Sequence, residues 1–484
     1  MSFTSFQFIG CLLIALFIWL YLPGRWQWKF LLLASALYYI SWKPEYVLVI
    51  LAIVLVSFYT AILLEKEQRN PFRKLYLILG LVLTISPLFF FKYFNFFLRS
   101  GAKFLALFGT DIPYPILDWI APIGVSFYTL QVVSYILDVY RRVQRPEKHF
   151  GKYALFVSFF PQIVAGPIPR AKDLLPQFNR IHKFDSQRII QGARRVLWGL
   201  FQKIVIADQL ANVVNKVYDN YSEYQGLALL LATYIFAFQI YYDFAGYTSI
   251  AIGIAKALGI DLRENFDYPY IAKDPIEFWN RWHITFSTWL RDYIFYPLVR
   301  FLRRWKISNT SFFGLLIPPL LTMLVSGIWH GAGWNFVIWG ALHGLYLILA
   351  NLTRTLRRQI FNPEKWGKYI SVEYLVQQFI TFNLVAFAWI FFRANNYLDA
   401  ANIIHQILTD KLNLQAMDRL DLTIALAMIL FILIVEYIQR RGIGSLWLDS
   451  IHVILRWSLY YLAIFAILFF GSFGAQWEFI YARF

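Results

Sequence analysis

The chain has 484 residues, of which 59% are hydrophobic and only 15% are charged, with a mean hydropathy of +0.52. A soluble globular domain does not combine so much apolar surface with so few charges, so the composition excludes that class. The net charge of +17 comes from basic clusters beside apolar runs rather than from one soluble face, which argues against binding to nucleic acid.

Eleven apolar runs approach the length of about twenty residues that crosses a bilayer as a helix. They are residues 6–22, 29–42, 46–64, 75–92, 120–139, 227–245, 313–329, 334–350, 375–392, 420–437 and 453–471. The first run lacks a basic segment before it and a cleavage pattern after it, so it is predicted to be a retained helix. It holds the single cysteine, Cys11, which excludes an internal disulfide and a cysteine–metal cluster. The sequence predicts an all-α, multi-pass membrane protein.

Basic residues gather between the apolar runs. The basic segments are residues 65–74, 141–148, 170–195, 302–306, 354–368 and 440–441, whereas residues 101–120 hold one Lys and two Asp. By the positive-inside rule the basic segments face the cytoplasm, which puts the N-terminus and residues 101–120 outside. Two explanations of the charge stay open: membrane topology with anionic lipid headgroups, and attraction of an anionic donor such as a CoA nucleotide or an acidic carrier protein.

The pattern becomes irregular between residues 150 and 310. Residues 153–170 are apolar but contain three prolines, including Pro161, and such backbone survives at membrane depth only inside protein or beside a water-filled cavity. A re-entrant or broken element is therefore predicted there. Residues 188–215 follow as an amphipathic helix, with Arg188, Arg194, Arg195 and Lys203 expected at the membrane interface.

Asp243 lies in the next long apolar helix. An ionisable group at membrane depth is costly enough that a functional role is the default hypothesis. Two interpretations stay open. The carboxylate is either a structural group hydrogen-bonded to neighbouring hydroxyls, or a group that orients a histidine or lines the site.

Residues 276–297 are too charged to face lipid and too aromatic for a free loop. They are predicted to form a helix in the interface or within a cavity, on which Trp279, His283 and Ser287 share one face. His283 is a candidate active-site residue, and an interfacial anchor formed together with Arg281 and Arg291 is the alternative.

His330 follows the apolar run 313–329 and precedes Gly331 and Gly333, which allow backbone to approach a ligand closely. Imidazole has the side-chain pKa nearest neutrality, which suits it to proton transfer. His330 is therefore predicted to be a general base, whereas His343 in the next helix is predicted to be structural. Because HExxH, GxSxG, P-loop and dinucleotide motifs do not occur, metal, serine hydrolase, ATPase and dehydrogenase chemistry is not expected.

At these residues the chain resembles the membrane-bound O-acyltransferase family, over nearly its whole length. The similar stretches are Pro122–Gln131 with Tyr135, Asp138 and Tyr140; Ser158–Pro167; Asp243–Tyr247 with Asn265–Tyr270 and Glu277–Arg291; Trp329–Ala332; and the aromatic ending Glu478–Phe484. Asn280 departs from the pattern, since relatives often have a basic residue there. The chain looks more like the alginate O-acetylation branch than the teichoic acid D-alanyl transfer branch.

The resemblance implies a ring of roughly 11 transmembrane helices, with re-entrant and interfacial helices, around a central funnel. We expect a single domain over residues 1–484, divided into N-terminal helices (1–140), a catalytic core (150–350) and C-terminal helices (370–484). His330 matches the family's membrane-embedded catalytic histidine, and His283 matches its upstream polar active-site position.

The predicted activity is transfer of an acyl group, in the first place acetyl, from a cytoplasmic thioester to a hydroxyl, for O-acetylation of an extracytoplasmic polysaccharide. His330 would act as general base, and His283 would polarise the carbonyl or complete a proton relay. The candidates for substrate or donor binding are Arg281, Arg291, Asp243, Trp329 and Asn335.

No bound cofactor or metal is expected, and acetyl-CoA or an acyl carrier protein would be the co-substrate. The expected setting is the bacterial inner membrane, among lipids and beside an extracytoplasmic SGNH-type acetyltransferase. The alternatives are D-alanyl or other acyl transfer to teichoic acid or peptidoglycan, a transporter, and a scaffold for an extracytoplasmic enzyme.

Overall fold

The computed structural model describes residues 3–110, 113–360, 370–410, 413–414, 417–440, 451–471 and 480. Within these ranges every regular element is a helix, which confirms the all-α class. Parts of two predicted basic segments (361–368 and Arg441), Asp111 of the 101–120 segment, and the C-terminal stretch Glu478–Phe484 apart from Ile480 lie outside the described residues.

The chain forms two compact units. Of the described residues, unit 1 comprises those in the ranges 3–196 and 247–263, and unit 2 comprises those in the ranges 197–246 and 264–480. Helix α9 (Ser186–Leu200) begins in unit 1 and ends in unit 2, and helix α11 (Gly226–Ala257) begins in unit 2 and ends in unit 1.

Unit 1 is built mainly from the N-terminal helices. They are α1 (Phe6–Tyr21), α2 (Gly24–Ile40), α3 (Tyr46–Lys66), α4 (Asn70–Leu88), a π-helical turn (Phe89–Tyr93), α5 (Phe94–Ala106), α6 (Val125–Tyr140), α7 (Phe150–Ser158), α8 (Ala171–Leu174) with a 3-10 turn (Leu175–Asn179), and α9 (Ser186–Leu200). Polar side chains join these helices in the core: the Tyr153 hydroxyl donates to Ser57 Oγ (2.7 Å), and Arg73 donates to the Tyr140 carbonyl (2.8 Å).

The interruption predicted near Pro161 is confirmed. Helix α7 ends at Ser158, and residues 159–170 run as buried turns and extended backbone. The side chain of Gln131 donates to the Phe156 carbonyl (2.6 Å), as does that of Gln162 (3.1 Å), so α6 and the broken segment satisfy backbone that the missing helical turn leaves unpaired.

Unit 2 contains the remaining helices. They are a π-helical turn (Phe201–Ala207), α10 (Asp208–Asp219), a 3-10 turn (Tyr221–Glu223), α11 (Gly226–Ala257), a 3-10 turn (Pro269–Ile271), α12 (Pro275–Arg281), α13 (Ile284–Leu290), a π-helical turn (Arg291–Phe295), α14 (Tyr296–Arg304), α15 (Phe312–His330), α16 (Trp334–Leu352), α17 (Arg354–Ile360), α18 (Ile370–Arg393), α19 (Tyr397–Thr409), α20 (Arg419–Ile438) and α21 (Val453–Phe470).

All eleven predicted apolar runs lie on helices. Eight helices among the described residues are long and apolar enough to cross a membrane, and α4, its π-helical turn and α5 form one of them, over 37 residues. Helices α1, α2 and α6 occur where predicted, but with 16, 17 and 16 residues they are shorter. The chain is therefore a multi-pass helical membrane protein, while the count of spans, the ring and the funnel stay predictions.

Candidate active site

His330 is the last residue of α15, and its side chain is buried with 3% of its surface exposed. The backbone turns extended at Gly331, and α16 starts at Trp334. Helices α15 and α16 pack closely because Gly327 lies against Gly340 and the Phe336 carbonyl, where a side chain would collide. The space where a Gly331 side chain would lie is filled by the Phe336 ring, so this glycine allows close internal packing. The approach of its backbone to a ligand stays a prediction.

Four aromatic rings surround the His330 imidazole. The ring centroids lie 4.9 Å away for Trp329, 4.9 Å for Trp339, 5.3 Å for Phe392 and 5.7 Å for Phe286. They belong to α15, α16, α18 and α13, so four helices meet at this histidine. The imidazole is therefore buried among apolar rings, where an electrostatic interaction is stronger than in water.

The predicted helix through residues 276–297 is interrupted at His283. Helix α12 ends at Arg281, α13 begins at Ile284, and His283 has a left-handed backbone (φ 43°). The predicted face shared by Trp279, His283 and Ser287 is therefore wrong, because Trp279 lies on α12, Ser287 lies on α13 and His283 lies at the interruption between them. The physical reason is Asn265, whose carbonyl accepts a hydrogen bond from the Ile284 amide (2.8 Å) and thereby diverts the chain from the helix.

The His283 side chain is completely buried, and its Nδ1 lies 3.2 Å from Asn265 Oδ1. The same amide oxygen accepts a hydrogen bond from the Thr285 backbone N–H (3.3 Å), a group that can only donate, which identifies this atom as the oxygen. Nδ1 of His283 therefore carries the proton and donates. Burial lowers the pKa of His283 to about 3, so the imidazole is neutral at physiological pH.

The structure brings the two predicted histidines into one cluster. Phe286 lies 5.0 Å from the His283 ring and 5.7 Å from the His330 ring, and Trp329 lies 6.2 Å and 4.9 Å from them. Phe286 and Trp329 also stack on each other at 4.3 Å. The two imidazoles thus contact the same aromatic pair.

Asp243 is buried, with 2% of its surface exposed, and is bound by an ammonium group. Lys203 Nζ lies 2.5 Å from Asp243 Oδ1 and 2.7 Å from Asp208 Oδ1, and the Ile480 amide donates to Asp243 Oδ2 (2.9 Å). Asp243 is thus held as a structural carboxylate, with an ammonium group and a backbone amide in place of the predicted neighbouring hydroxyls. That it lines the site stays a prediction. The next residue, Phe244, contacts the His283 ring at 4.6 Å.

Lys203 is the charged core residue that sequence reasoning misses. The sequence predicts it among interfacial basic residues, but its side chain is buried between Asp208 and Asp243. Burial acts to lower the pKa of Lys203, and the two carboxylates outweigh it and hold that pKa above its usual value. Burial raises the pKa of Asp208 to about 6 against the opposite effect of Lys203. The signal in the sequence is Lys203 and Asp208 at the two ends of the apolar stretch 204–207.

The two predicted arginines differ in surroundings. Arg281 bonds to Glu277 (2.9 Å) and Asp267 (2.7 Å), so its charge is neutralised within the protein. Arg291 is half-exposed beside Asp292 (3.1 Å) and lines a groove of about 440 Å³. Trp279, another wall of that groove, lies 5.9 Å from Trp339, which in turn contacts His330.

Asn335 is buried at the start of α16 and donates to the carbonyls of Phe391 (3.2 Å) and Ala394 (3.1 Å). It therefore joins α16 to the end of α18, near Phe392. Among the described residues, no three His, Cys, Asp or Glu side chains are grouped so that they could hold a metal ion.

Residues 141–389 match the sequence model of the MBOAT, membrane-bound O-acyltransferase family, and this range includes both histidines. The chain is 36% identical to the probable alginate O-acetylase AlgI of Pseudomonas aeruginosa, over 78% of this chain and 69% of that protein. It is 33% identical to the peptidoglycan O-acetyltransferase of Helicobacter pylori, over 79% and 73%. Identity to the teichoic acid D-alanyltransferase of Streptococcus thermophilus is 29%, over 56% and 68%. The expected order of the two branches is confirmed.

Proposed function

The chain belongs to the membrane-bound O-acyltransferase family and is an O-acyltransferase, and from this premise we propose that it moves acetyl from a thioester to a hydroxyl for O-acetylation of a polysaccharide outside the cytoplasm. Relatives named for O-acetyl transfer are 36% and 33% identical, against 29% for one named for D-alanyl transfer, which supports acetyl as the group moved. The main observation in support of this proposal is that His330 is buried at the end of α15, within the part of the chain that matches the family.

His330 acts as general base in this proposal. The acceptor hydroxyl gives its proton to the imidazole while its oxygen attacks the thioester carbonyl carbon. The carbon–sulfur bond then breaks, the new ester remains, and the imidazolium returns the proton to the leaving thiolate. A positioned base contributes typically about 10²–10⁴-fold to the rate. The aromatic surroundings of His330 support this role because they exclude water that would hydrolyse the thioester.

In this proposal His283 accepts a hydrogen bond from the acceptor hydroxyl, while the proton itself passes to His330, because the pKa of His283 is only about 3. Since Nδ1 of His283 donates to Asn265, the other ring nitrogen, Nε2, carries a lone pair and accepts hydrogen bonds. A nitrogen in that state cannot donate to a carbonyl oxygen. The hydrogen bond therefore argues against polarisation of the thioester carbonyl by His283. The amide oxygen of Asn265 cannot take up a relayed proton, so the geometry supports a role in orienting the hydroxyl whose proton His330 takes.

Arg291 is the stronger of the two candidates for contact with the donor, because it lines the groove while Arg281 is held by two carboxylates. Acetyl-CoA and an acetylated carrier protein both carry the phosphates that this arginine would attract. Asp243, held by Lys203, keeps Phe244 against His283, and Trp329 and Asn335 shape the walls around His330.

The proposed acceptor is a polysaccharide at the outer face of a bacterial inner membrane, reached with an extracytoplasmic SGNH-type partner. D-alanyl or other acyl transfer to teichoic acid or peptidoglycan is the alternative within the family. Peptidoglycan is supported by the relative from Helicobacter pylori, which is named a peptidoglycan O-acetyltransferase.

The test uses the full chain in proteoliposomes, with radiolabelled acetyl-CoA or acetylated carrier protein and with alginate or peptidoglycan fragments as acceptors. His330→Ala should lower acyl transfer by about 10²–10⁴-fold, and His283→Ala should lower it less. His405→Ala, in exposed α19, is the matched control and should leave transfer unchanged. Near-normal transfer by a folded His330→Ala protein would contradict the assignment, and flux without any acylated product would favour a transporter.

A further inference from the structure

The aromatic rings around His330 form a continuous wall rather than isolated contacts. Phe286, Trp339 and Phe392 have essentially no exposed surface, and Trp329 has 6%. Each of the four rings approaches the imidazole with its plane steeply inclined, between 72° and 84°. Ring centroids at about 5 Å are in van der Waals contact, so a hydrocarbon chain does not fit between any of these rings and the imidazole.

A second layer of rings holds this wall in place. Phe392 contacts Trp389 (5.2 Å) and Phe336 (5.3 Å), and Trp339 stacks on Trp389 (5.8 Å). Behind them, the Gly327–Gly340 approach fixes α15 against α16. Closely packed interiors yield little to an inserted group, so the wall cannot move aside for a bulky substrate.

During transfer, the imidazole must lie next to the hydroxyl that attacks the carbonyl carbon. The substituent on that carbon then lies within a few ångströms of the same wall. An acetyl group presents only a methyl there, whereas a propionyl or butyryl group must displace a ring.

We propose that Phe392 and Trp339 set the length of the acyl group, so that the enzyme accepts acetyl and discriminates against longer acyl chains. This inference rests on the proposed acyl transfer at His330. In a fixed apolar pocket each extra methylene changes specificity by about 10–200-fold, so two methylenes suffice to make butyryl a poor substrate.

The experiment measures initial rates of thiol release from acetyl, propionyl and butyryl thioesters, each presented on CoA and on an acyl carrier protein. The wild type should prefer acetyl to butyryl by at least about 100-fold. Phe392→Leu keeps most of the apolar volume and should raise the butyryl-to-acetyl rate ratio by about 10-fold or more. Phe392→Ala should raise it further, and Trp339→Phe should shift the ratio in the same direction.

The matched control is Phe387→Ala, which removes the same ring from the same helix at a position that is 40% exposed. It should leave the rate ratio unchanged. A wild type that uses butyryl as well as acetyl, or Phe392→Leu and Trp339→Phe proteins that transfer acetyl with an unaltered ratio, would overturn this inference alone. A wild type that is silent with every donor would overturn the proposed function instead.

Discussion

Several core residues carry charges that an apolar environment disfavours, and Lys203 is the cation between two of the buried carboxylates. It neutralises Asp243 and Asp208, which lie on different helices. Removal of one member of a buried ion group typically costs about 3–5 kcal/mol, because the remaining charges have no partner. Asp243 also accepts a hydrogen bond from the Ile480 amide, so the buried ion group is joined to the C-terminal part of the chain.

We expect Lys203→Met to destabilise the protein by about 3–5 kcal/mol, read as a lower thermal midpoint in detergent. The double variant Lys203→Met with Asp243→Asn should be less destabilised than the sum of the two single variants, since it removes one of the unpaired charges as well. Lys183→Met, in an exposed segment, is the control. An unchanged midpoint for Lys203→Met would contradict the buried ion group.

The raised pKa of Asp208 makes stability depend on pH. Its pKa rises from 3.8 to about 6 on folding, so the folded state binds the proton more tightly. The resulting stabilisation is present below pH 3.8 and is lost as pH rises through about 6. The thermal midpoint of Asp208→Asn should therefore improve relative to wild type as pH increases across that window, and a constant difference between the two proteins would argue against the shift.

At the scale of helices, the sequence predicts the features that depend on neighbouring residues and misses those that depend on contacts between residues far apart in the chain. Each apolar run carries its own signal, so all eleven runs lie on helices, and Pro161 marks the broken segment because proline acts on its own neighbours. The interruption at His283 depends instead on Asn265, a residue 18 positions away whose partners the sequence does not reveal. For the same reason the pairing of Lys203 with Asp243 is not predictable from the sequence: it forms only when the π-helical turn Phe201–Ala207 packs against α11.

In the candidate site, too, the sequence identifies single residues but not the contacts between distant ones. His330 and His283 are identifiable from residue type and resemblance, and the structure places them against one aromatic pair. The contact of the Phe392 ring with His330 cannot be predicted, because nothing in the neighbouring sequence distinguishes this phenylalanine from the other 46 of the 47 in the chain. Its role emerges only when α18 packs on α15 and α16.

The close approach of α15 and α16 gives a prediction for the two helices that carry the site wall. A methyl group at Gly340 would collide with the Met323 carbonyl, which is backbone and cannot rotate away. Gly340→Ala should therefore cost about 1–3 kcal/mol of stability through overpacking. Gly10→Ala adds the same methyl within α1, where nothing lies within 4 Å, and should be neutral or slightly stabilising by its helix propensity. Equal thermal midpoints of the two variants would contradict the tight crossing.

For the molecule as a whole, the distribution of basic residues predicts its orientation in the membrane. The segment 101–120 should be outside and the segment 141–148 inside, because cytoplasmic loops carry the excess of Lys and Arg. The chain has one cysteine, so Cys11→Ser gives a cysteine-free background for labelling. In intact spheroplasts, a membrane-impermeant maleimide should label Thr110→Cys, while Lys148→Cys should react only after permeabilisation. Both positions are exposed on the protein, so a difference in labelling reports the side of the membrane on which each one lies. The reverse pattern would invert the topology and move the acyl donor to the opposite face, and equal labelling of both sites would mean that α6 does not cross.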